Sequence, residues 1–175
     1  MNEIIQAMKE RRSVRKFKPE TPDKATVDQI IEAGLYAASG RGTQTPIIVK
    51  VTRKDFIEKL TKDNCKIGGW QEGFDPFYGA PVILIVLAAK DCPTAVYDGS
   101  LVMGNLMLAA HALGLGSCWI HRAKEEFETP DYQAFLKSLG VEGEFIGIGH
   151  CALGYAAAPL PEAPERKPNR VFYAE

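Results

Sequence analysis

The stretch that begins at Thr94 or Asp98 and ends at Leu113 reads as a helix with no polar side. Leu101, Val102, Met103, Leu106, Met107, Leu108, Ala109 and Leu113 leave only Asn105 and His111 as polar interruptions. A helix that is apolar all round has to be covered all round. In a chain of 175 residues, enough for one domain with a substantial core, a second subunit is expected to cover one face. The tail makes the same demand. From Ala158 it carries prolines at 159, 161, 164 and 168 and closes with the strand-like Val171-Phe172-Tyr173. Such a segment is extended and cannot pack on itself. It needs a dock, and a partner subunit is the obvious one.

The remaining pattern alternates helices and strands. Residues 3–11 place Ile4, Ile5 and Met8 on one helical face. Thr21-Pro22-Asp23 signals a helix start, and Val27, Ile30, Ile31, Leu35 and Ala38 give the helix its apolar side. Ser39-Gly40-Arg41-Gly42 is a loop with two glycines free to take positive φ. Residues 47–52 read as a strand, 54–62 as a short helix, and 82–87 as a buried, central strand. Gly114 is the expected C-cap of the apolar helix. Residues 117–120 form a short strand, and Thr129-Pro130 opens a helix that reaches Leu139-Gly140. Residues 145–153 form the last strand, where Gly147 and Gly149 leave room for another backbone or a ring. Between them, residues 63–79 carry glycines at 68, 69, 73 and 79 with Trp70, Phe74, Phe77 and Tyr78. This segment suits a mobile lid that offers aromatic surfaces to a planar ligand. Equally, it suits a loop whose aromatics tuck into the core.

Charge and cysteine spacing exclude several functions. A net charge of −1 provides no global field toward nucleic acid or an anionic membrane. The longest apolar run, residues 81–89, is too short to span a bilayer. The beginning of the chain lacks the pattern of a signal peptide, so a cytoplasmic protein is expected. Cysteines at 65, 92, 118 and 151 show no C-x-x-C spacing and read as free thiols in a reducing compartment. His150 and Cys151 are adjacent, but on a strand they point to opposite faces and cannot share a metal. No metal site is expected.

Chemistry concentrates in residues 9–18, Lys-Glu-Arg-Arg-Ser-Val-Arg-Lys-Phe-Lys, where six of ten are basic. In an extended stretch Arg11, Ser13 and Arg15 share one face. Two guanidinium forks and a hydroxyl converging on one anion make a plausible phosphate site. A solvated basic patch, or a nucleic-acid contact, fits the same charge pattern. Gly147-Ile148-Gly149 lacks the third glycine of a dinucleotide fingerprint, and no Walker A, G-x-S-x-G or H-E-x-x-H sequence occurs. His111 falls mid-helix and reads as a core histidine, whereas His121 is the better candidate for a pocket. Cys118 reads as a buried structural thiol.

The order of four motifs is more specific than any one. Arg11-Arg-Ser-Val-Arg-Lys-Phe17 resembles the N-terminal phosphate motif of the FMN-dependent nitroreductase family. Ala37-Ala-Ser-Gly-Arg-Gly-Thr-Gln-Thr-Pro46 looks like that family's loop after the second helix. Asp98 to Ala110, followed by Leu113-Gly-Leu-Gly-Ser-Cys-Trp119, resembles its long dimer helix and the strand behind the flavin. Cys151-Ala-Leu-Gly-Tyr155 precedes a proline-rich tail with Arg166-Lys167, again as in the family.

The resemblance implies an α+β, three-layer fold. A small, mostly antiparallel sheet is flanked by helices in an intertwined homodimer that exchanges C-terminal tails. It implies a single flavin-binding domain over residues 1–175, with 63–79 as the lid and 158–175 as the arm. It assigns Arg11, Arg12, Ser13 and Arg15 to the FMN phosphate and ribityl chain, with Arg166 and Lys167 completing the cage. The loop Ala38-Ser39-Gly40-Arg41-Gly42 comes from the partner subunit and borders the ring. Many relatives have asparagine where this chain has Gly42, which leaves only backbone donors there. Gln44 is expected near the ring's polar edge. Trp119, Ile120 and His121 are expected to run along the flavin with a backbone N–H facing its hydride-accepting nitrogen. Some relatives supply an asparagine and a lysine from the region before the central strand, and residues 64–78 show no convincing equivalent.

The implied activity is reduction of an organic acceptor, such as a nitroaromatic or a quinone, by NADH or NADPH in ping-pong hydride transfer. The cofactor carries the chemistry, so no side chain is named as catalytic. Competing readings keep the fold and flavin with enone reduction or dehalogenation, or make the chain a non-catalytic FMN-binding module. A nucleic-acid-binding protein is disfavoured by slight acidity and the lack of interleaved aromatics beyond Phe17.

Overall fold

A strand without polar side chains belongs where both its faces are covered, and β2 (Val82–Ala89) has no exposed surface from Val82 to Ala88. The computed structural model describes residues 2–175. With β1 (Ile47–Val51), β3 (Gly116–Ile120) and β4 (Phe145–Gly154), β2 forms a four-stranded antiparallel sheet of order β1-β2-β4-β3. Alternate residues of β2 feed two cores, as the period of two requires. Val82, Leu84 and Val86 meet α2 (Lys24–Leu35) and α4 (Ala95–Ala112) through Val27, Ile30, Met103 and Leu106. Ile83, Ile85 and Leu87 meet α3 (Lys54–Gly68), α5 (Ala123–Phe127) and α6 (Pro130–Ser138) through Leu60, Phe127, Tyr132 and Leu136. The result is an α+β fold of three layers.

Close approach fixes two of the contacts between layers. In β4 the register shifts between Val86 and Leu87, so that Ile148 is the extra residue of a bulge. A Cβ built on Gly147 meets the Ala123 carbonyl oxygen at 2.1 Å and the Lys124 nitrogen at 2.7 Å. These are backbone atoms of α5, which cannot rotate away. Gly147→Ala is therefore expected to cost about 3 kcal/mol or more and to lower the thermal midpoint by roughly 6–12 °C. An unchanged midpoint in calorimetry means that α5 does not sit on β4. On the opposite face, Gly99 of α4 receives the Ile148 side chain, which a Cβ there meets at 2.4 Å.

The apolar helix is covered on only part of its circumference. Val102, Met103, Leu106 and Ala110 are buried, while Tyr97 is 72% and Leu101 50% exposed. A side chain added at Gly104, on the same outward line, meets nothing within 4 Å. Against α4 lies α1 (Glu3–Glu10), capped by the Asn2 side chain and burying none of its residues; Ile4, Ile5 and Met8 are all exposed. Leu35 and Tyr36 at the end of α2 are exposed as well.

Two boundaries and one helix depart from the sequence reading. The second helix ends at Leu35 rather than reaching Ala38. Helix α3 continues six residues beyond 62, because Asn64 and Cys65 are both buried against the body. It stops at Gly69, whose φ of +67° lets Gly69 and Trp70 donate back to Lys66 and Cys65. The one-turn helix α5 carries no periodic signal and was not expected.

Candidate functional site

The basic segment is ordered by its backbone. Val14 N–H donates to Ser117 O at 2.9 Å, Phe17 N–H to Tyr78 O at 3.2 Å and Lys18 N–H to Tyr155 O at 2.9 Å. Val14 and Phe17 are buried, so the residues between them are turned outward. Val14 fills the space a side chain at Gly116 would take, with a Cβ there only 2.6 Å from Cγ2. A solvated basic tail has no such anchors.

Arg11, Arg12, Ser13 and Arg15 line a cleft of about 870 Å³ whose other wall is residues 161–166, including Arg166. Arg12 is partly committed, since Nη1 donates to Lys9 O and Arg11 O, both at 2.7 Å, and so closes the end of α1. Arg11 Nη1 and Arg12 Nε are buried with no hydrogen-bond partner. A buried donor without an acceptor costs roughly 1–3 kcal/mol, more for a charged group. Several guanidinium groups around one cleft, with orphaned N–H donors, fit a phosphate. Lys167 is exposed and is not among the residues that line the cleft; the Arg166 guanidinium donates to Pro164 O at 3.1 Å.

The loop 38–44 forms a separate, pre-shaped unit. Gly40 N–H donates to Asp98 Oδ1 at 2.9 Å, and Gln44 N–H to Ser39 Oγ at 2.9 Å. Asp98 is buried, and its other oxygen accepts from the Thr94 hydroxyl at 2.8 Å. Any side chain at Gly40 strikes Thr94 Oγ1 at 2.4 Å. Arg41, Gly42 and Gln44 have φ of 55°, 67° and 51°, a conformation that suits glycine at 42. Ala38, Gly42 and Gln44 are exposed. The crevice formed by Ala38, Ser39, Gln44 and Val102 of α4 shares no residue with the basic cleft.

Strand β3 carries the third group. Ile120 is buried toward α5, whereas Trp119 packs against Gly149, where a Cβ meets its Nε1 at 2.1 Å. Trp119 Nε1 is buried without a partner. His121 is exposed, its ring centroid 5.8 Å from that of Trp119. Ser13 bridges to Ser117, so this strand runs beside the basic segment.

Beneath β3 lies a polar group that sequence reasoning missed. Asn64, Glu126 and His150 are fully buried. Asn64 Nδ2 donates to the His121 carbonyl at 2.7 Å and to Glu126 Oε1 at 2.9 Å, and Glu126 Oε2 stands 2.7 Å from His150 Nε2. The only signal was a histidine in an apolar strand, which the sequence reading weighed as a metal ligand alone. Among the described residues no group of histidine, cysteine and acidic side chains could hold a metal.

Of the segment 63–79, residues 63–68 belong to α3 rather than to a loop, and the rest divides between its two readings. Phe77 is buried in the core, while Trp70 and Phe74 stay about two-fifths exposed with ring centroids 5.3 Å apart. They line a groove of about 990 Å³ along α3. All four cysteines are free. Burial raises the Cys118 thiol against the opposing pull of Arg15 and Ser13, and pushes Cys151 up to about 12. Half-buried Cys92 is lowered instead, by its bonds to the Thr94 hydroxyl and amide. A thiol reagent at neutral pH is expected to label Cys92 first, with Cys118 and Cys151 reacting only on unfolding. Peptide mapping that finds Cys118 labelled first overturns this account of burial. No helix among the described residues is long and apolar enough to cross a membrane.

Known proteins resemble this chain in fold and sequence. A crystallised nitroreductase from Bacteroides fragilis with bound FMN superposes with a TM-score of 0.90 at 29% identity, covering 100% of both chains. The FMN reductase [NAD(P)H] of Bacillus subtilis is 26% identical over 198 aligned positions, 97% of this chain and 73% of its own. A relative from Methanothermobacter thermautotrophicus, named for NADH dehydrogenase and NAD(P)H nitroreductase, is 27% identical over 121 residues. That match takes in 67% of this chain but 60% of the archaeal protein, less than two thirds of its length. The profile of the nitroreductase family itself matches residues 8–155, from α1 through the end of β4, and on that extent the chain belongs to the nitroreductase family.

Proposed function

We propose that this chain is an FMN-dependent oxidoreductase that takes electrons from NADH or NADPH and reduces an organic acceptor. The observation that carries the reading is the cleft where Arg11, Arg12, Ser13, Arg15 and Arg166 converge with Arg11 Nη1 buried and unpartnered. When bound, FMN supplies the electron transfer itself. Arg11 and Arg15 hold its phosphate and Ser13 donates between them, while Arg166, with Lys167 beside it, closes the cage. Trp119, Ile120 and His121 lie along the ring. The loop 38–44 of a partner subunit, including Ala38, Ser39, Gly40, Gly42 and Gln44, covers the ring's other edge, so the functional unit is a homodimer. The exposed line of Tyr97, Leu101 and Gly104 beside α1 supports that dimer.

The acceptor we favour is planar and aromatic, a nitro compound or a quinone, because exposed Trp70 and Phe74 offer ring faces to it. Donor and acceptor use one site in turn. We assign the chain to the cytoplasm, in keeping with its four free cysteines. Its basic residues serve a small anion rather than a nucleic acid.

The test is the visible spectrum of purified protein before and after anaerobic NADH or NADPH. Yellow absorbance that bleaches within turnover times supports the enzyme. A yellow protein that stays yellow points to an FMN-binding module without turnover. A colourless protein that takes up no added FMN refutes the reading.

A further inference from the structure

Asn64 on α3, Glu126 on α5, His150 on β4 and the His121 carbonyl at the end of β3 meet in the interior. The first three are fully buried, and the Phe77 ring lies edge-on to the imidazole at 5.3 Å. Two bare lone pairs 2.7 Å apart repel, so a hydrogen lies between Glu126 Oε2 and His150 Nε2. The arrangement is costly. Asn64 Oδ1 and His150 Nδ1 have no partner, and apolar side chains of similar volume would usually be no less stable here. A cluster that only tied α3, α5 and β4 together would need no link to a loop. This one has such a link, through both N–H groups of the Asn64 amide, one held by Glu126 and the other bonded to His121 O.

The residue that follows explains what the link does. Arg122 has φ +83°, a region that costs a side-chain-bearing residue about 1–2 kcal/mol. It is held there from both sides: its carbonyl accepts from Glu126 N–H at 3.0 Å, and its guanidinium pairs with Glu125 at 3.1 Å. A peptide group is planar and trans, so the C=O of His121 and the N–H of Arg122 point in opposite directions. With the carbonyl drawn inward to Asn64, the Arg122 N–H is aimed away from that cluster. It directly follows Trp119, Ile120 and His121, the stretch along which the flavin reading places the ring.

We propose that Asn64, clamped by Glu126 and His150, is a positioning residue that aims the Arg122 backbone N–H at the reactive edge of FMN. The proposal rests on the FMN reading. A donor fixed in advance stabilises negative charge gained on reduction without having to reorganise. A donor free to swing stabilises it less, so loss of the clamp makes bound FMN harder to reduce. The phosphate cleft shares no residue with the cluster, so retention of FMN should be little affected.

The experiment measures FMN affinity and the midpoint potential of bound FMN in the wild-type holoprotein and in Asn64→Leu. The expected result is affinity within about threefold of wild type and a midpoint potential lower by about 30 mV or more. That shift is a tenfold change in the oxidised-to-reduced binding ratio for a two-electron couple. A variant with lowered thermal stability but unchanged potential shows a packing role and overturns the proposal. If Asn64→Leu does not fold, Glu126→Gln decides. It keeps the shape and the acceptor for Asn64 but replaces the oxygen facing His150, and it is expected to lower the potential in the same direction. Unchanged potential in that variant again overturns the proposal. Wild-type protein that binds no FMN refutes the functional reading as well. Wild-type protein that binds FMN while the variants keep its potential refutes the positioning role alone.

Discussion

Protein carrying Arg11→Ala and Arg15→Ala together is expected to purify without flavin colour. Charge-assisted hydrogen bonds each contribute about 1.5–3 kcal/mol, so losing two arginines from one phosphate corresponds to roughly 10²–10⁴-fold weaker FMN binding. The fold should not suffer, because the segment is anchored by buried Val14 and Phe17 and by backbone bonds to Ser117, Tyr78 and Tyr155. There is a sharper consequence for the apoprotein. Arg11 Nη1 is buried and unpartnered, so its removal relieves a desolvated charge when no anion is present. Without FMN the double variant should melt at or above the wild-type temperature; with excess FMN only the wild type should gain stability. Two measurements decide this: the absorbance ratio of purified protein and paired melting curves with and without FMN. A variant that stays yellow at full occupancy overturns the phosphate assignment. One that is colourless because it is unfolded shows up in the melts.

What could be read in the sequence follows from the range of the signals. The central strand, the apolar helix and the basic stretch are local patterns: β2 is buried on both faces, α4 is buried on part of its circumference, and the basic stretch lines a cleft. The exposure of Ile4, Ile5 and Met8 in a single chain agrees with it too: an amphipathic helix with nothing to cover its apolar face points to a surface beyond the chain. The end of α3 could not be read because the glycines and aromatics of residues 63–79 read as one loop segment, which hides the last helical turns. In the fold Asn64 is a buried bridge and Asp63 accepts from the Tyr132 hydroxyl at 2.8 Å, partners 57 to 69 residues away. Glu126 was hidden in the same way, and His150 meets Glu126 from a separate element, β4. A polar residue that spends its hydrogen bonds on remote elements leaves no periodic trace. The candidate site was legible only as motifs, and how its loops are held was not: Asp98 reads as a helix start, yet its carboxylate accepts from Gly40 N–H, 58 residues earlier in the chain.

Truncation after Leu160 is expected to weaken both association and flavin retention while leaving the single-chain fold intact. No residue of 158–175 is buried in one chain, so deletion removes nothing from either core. Val171, Phe172 and Tyr173 are 67%, 86% and 81% exposed, an apolar end that stays solvated unless a second subunit receives it. Burying three such side chains is worth on the order of 5–9 kcal/mol per arm, less the cost of ordering a segment already stiffened by three prolines. In a two-fold dimer the contribution counts twice, so the dissociation constant should rise by about 10²-fold or more. Loss of Arg166 opens one wall of the cleft at the same time. Sedimentation across a dilution series, with flavin content measured at each point, separates the two effects. A full-strength dimer that has lost FMN leaves the tail a role only in closing the phosphate cleft. A weakened dimer that still holds FMN would assign the phosphate to the N-terminal arginines alone. An unchanged dimer with unchanged flavin overturns the exchanged arm, and the exposed apolar line of α4 and α1 would then have to carry the association without it.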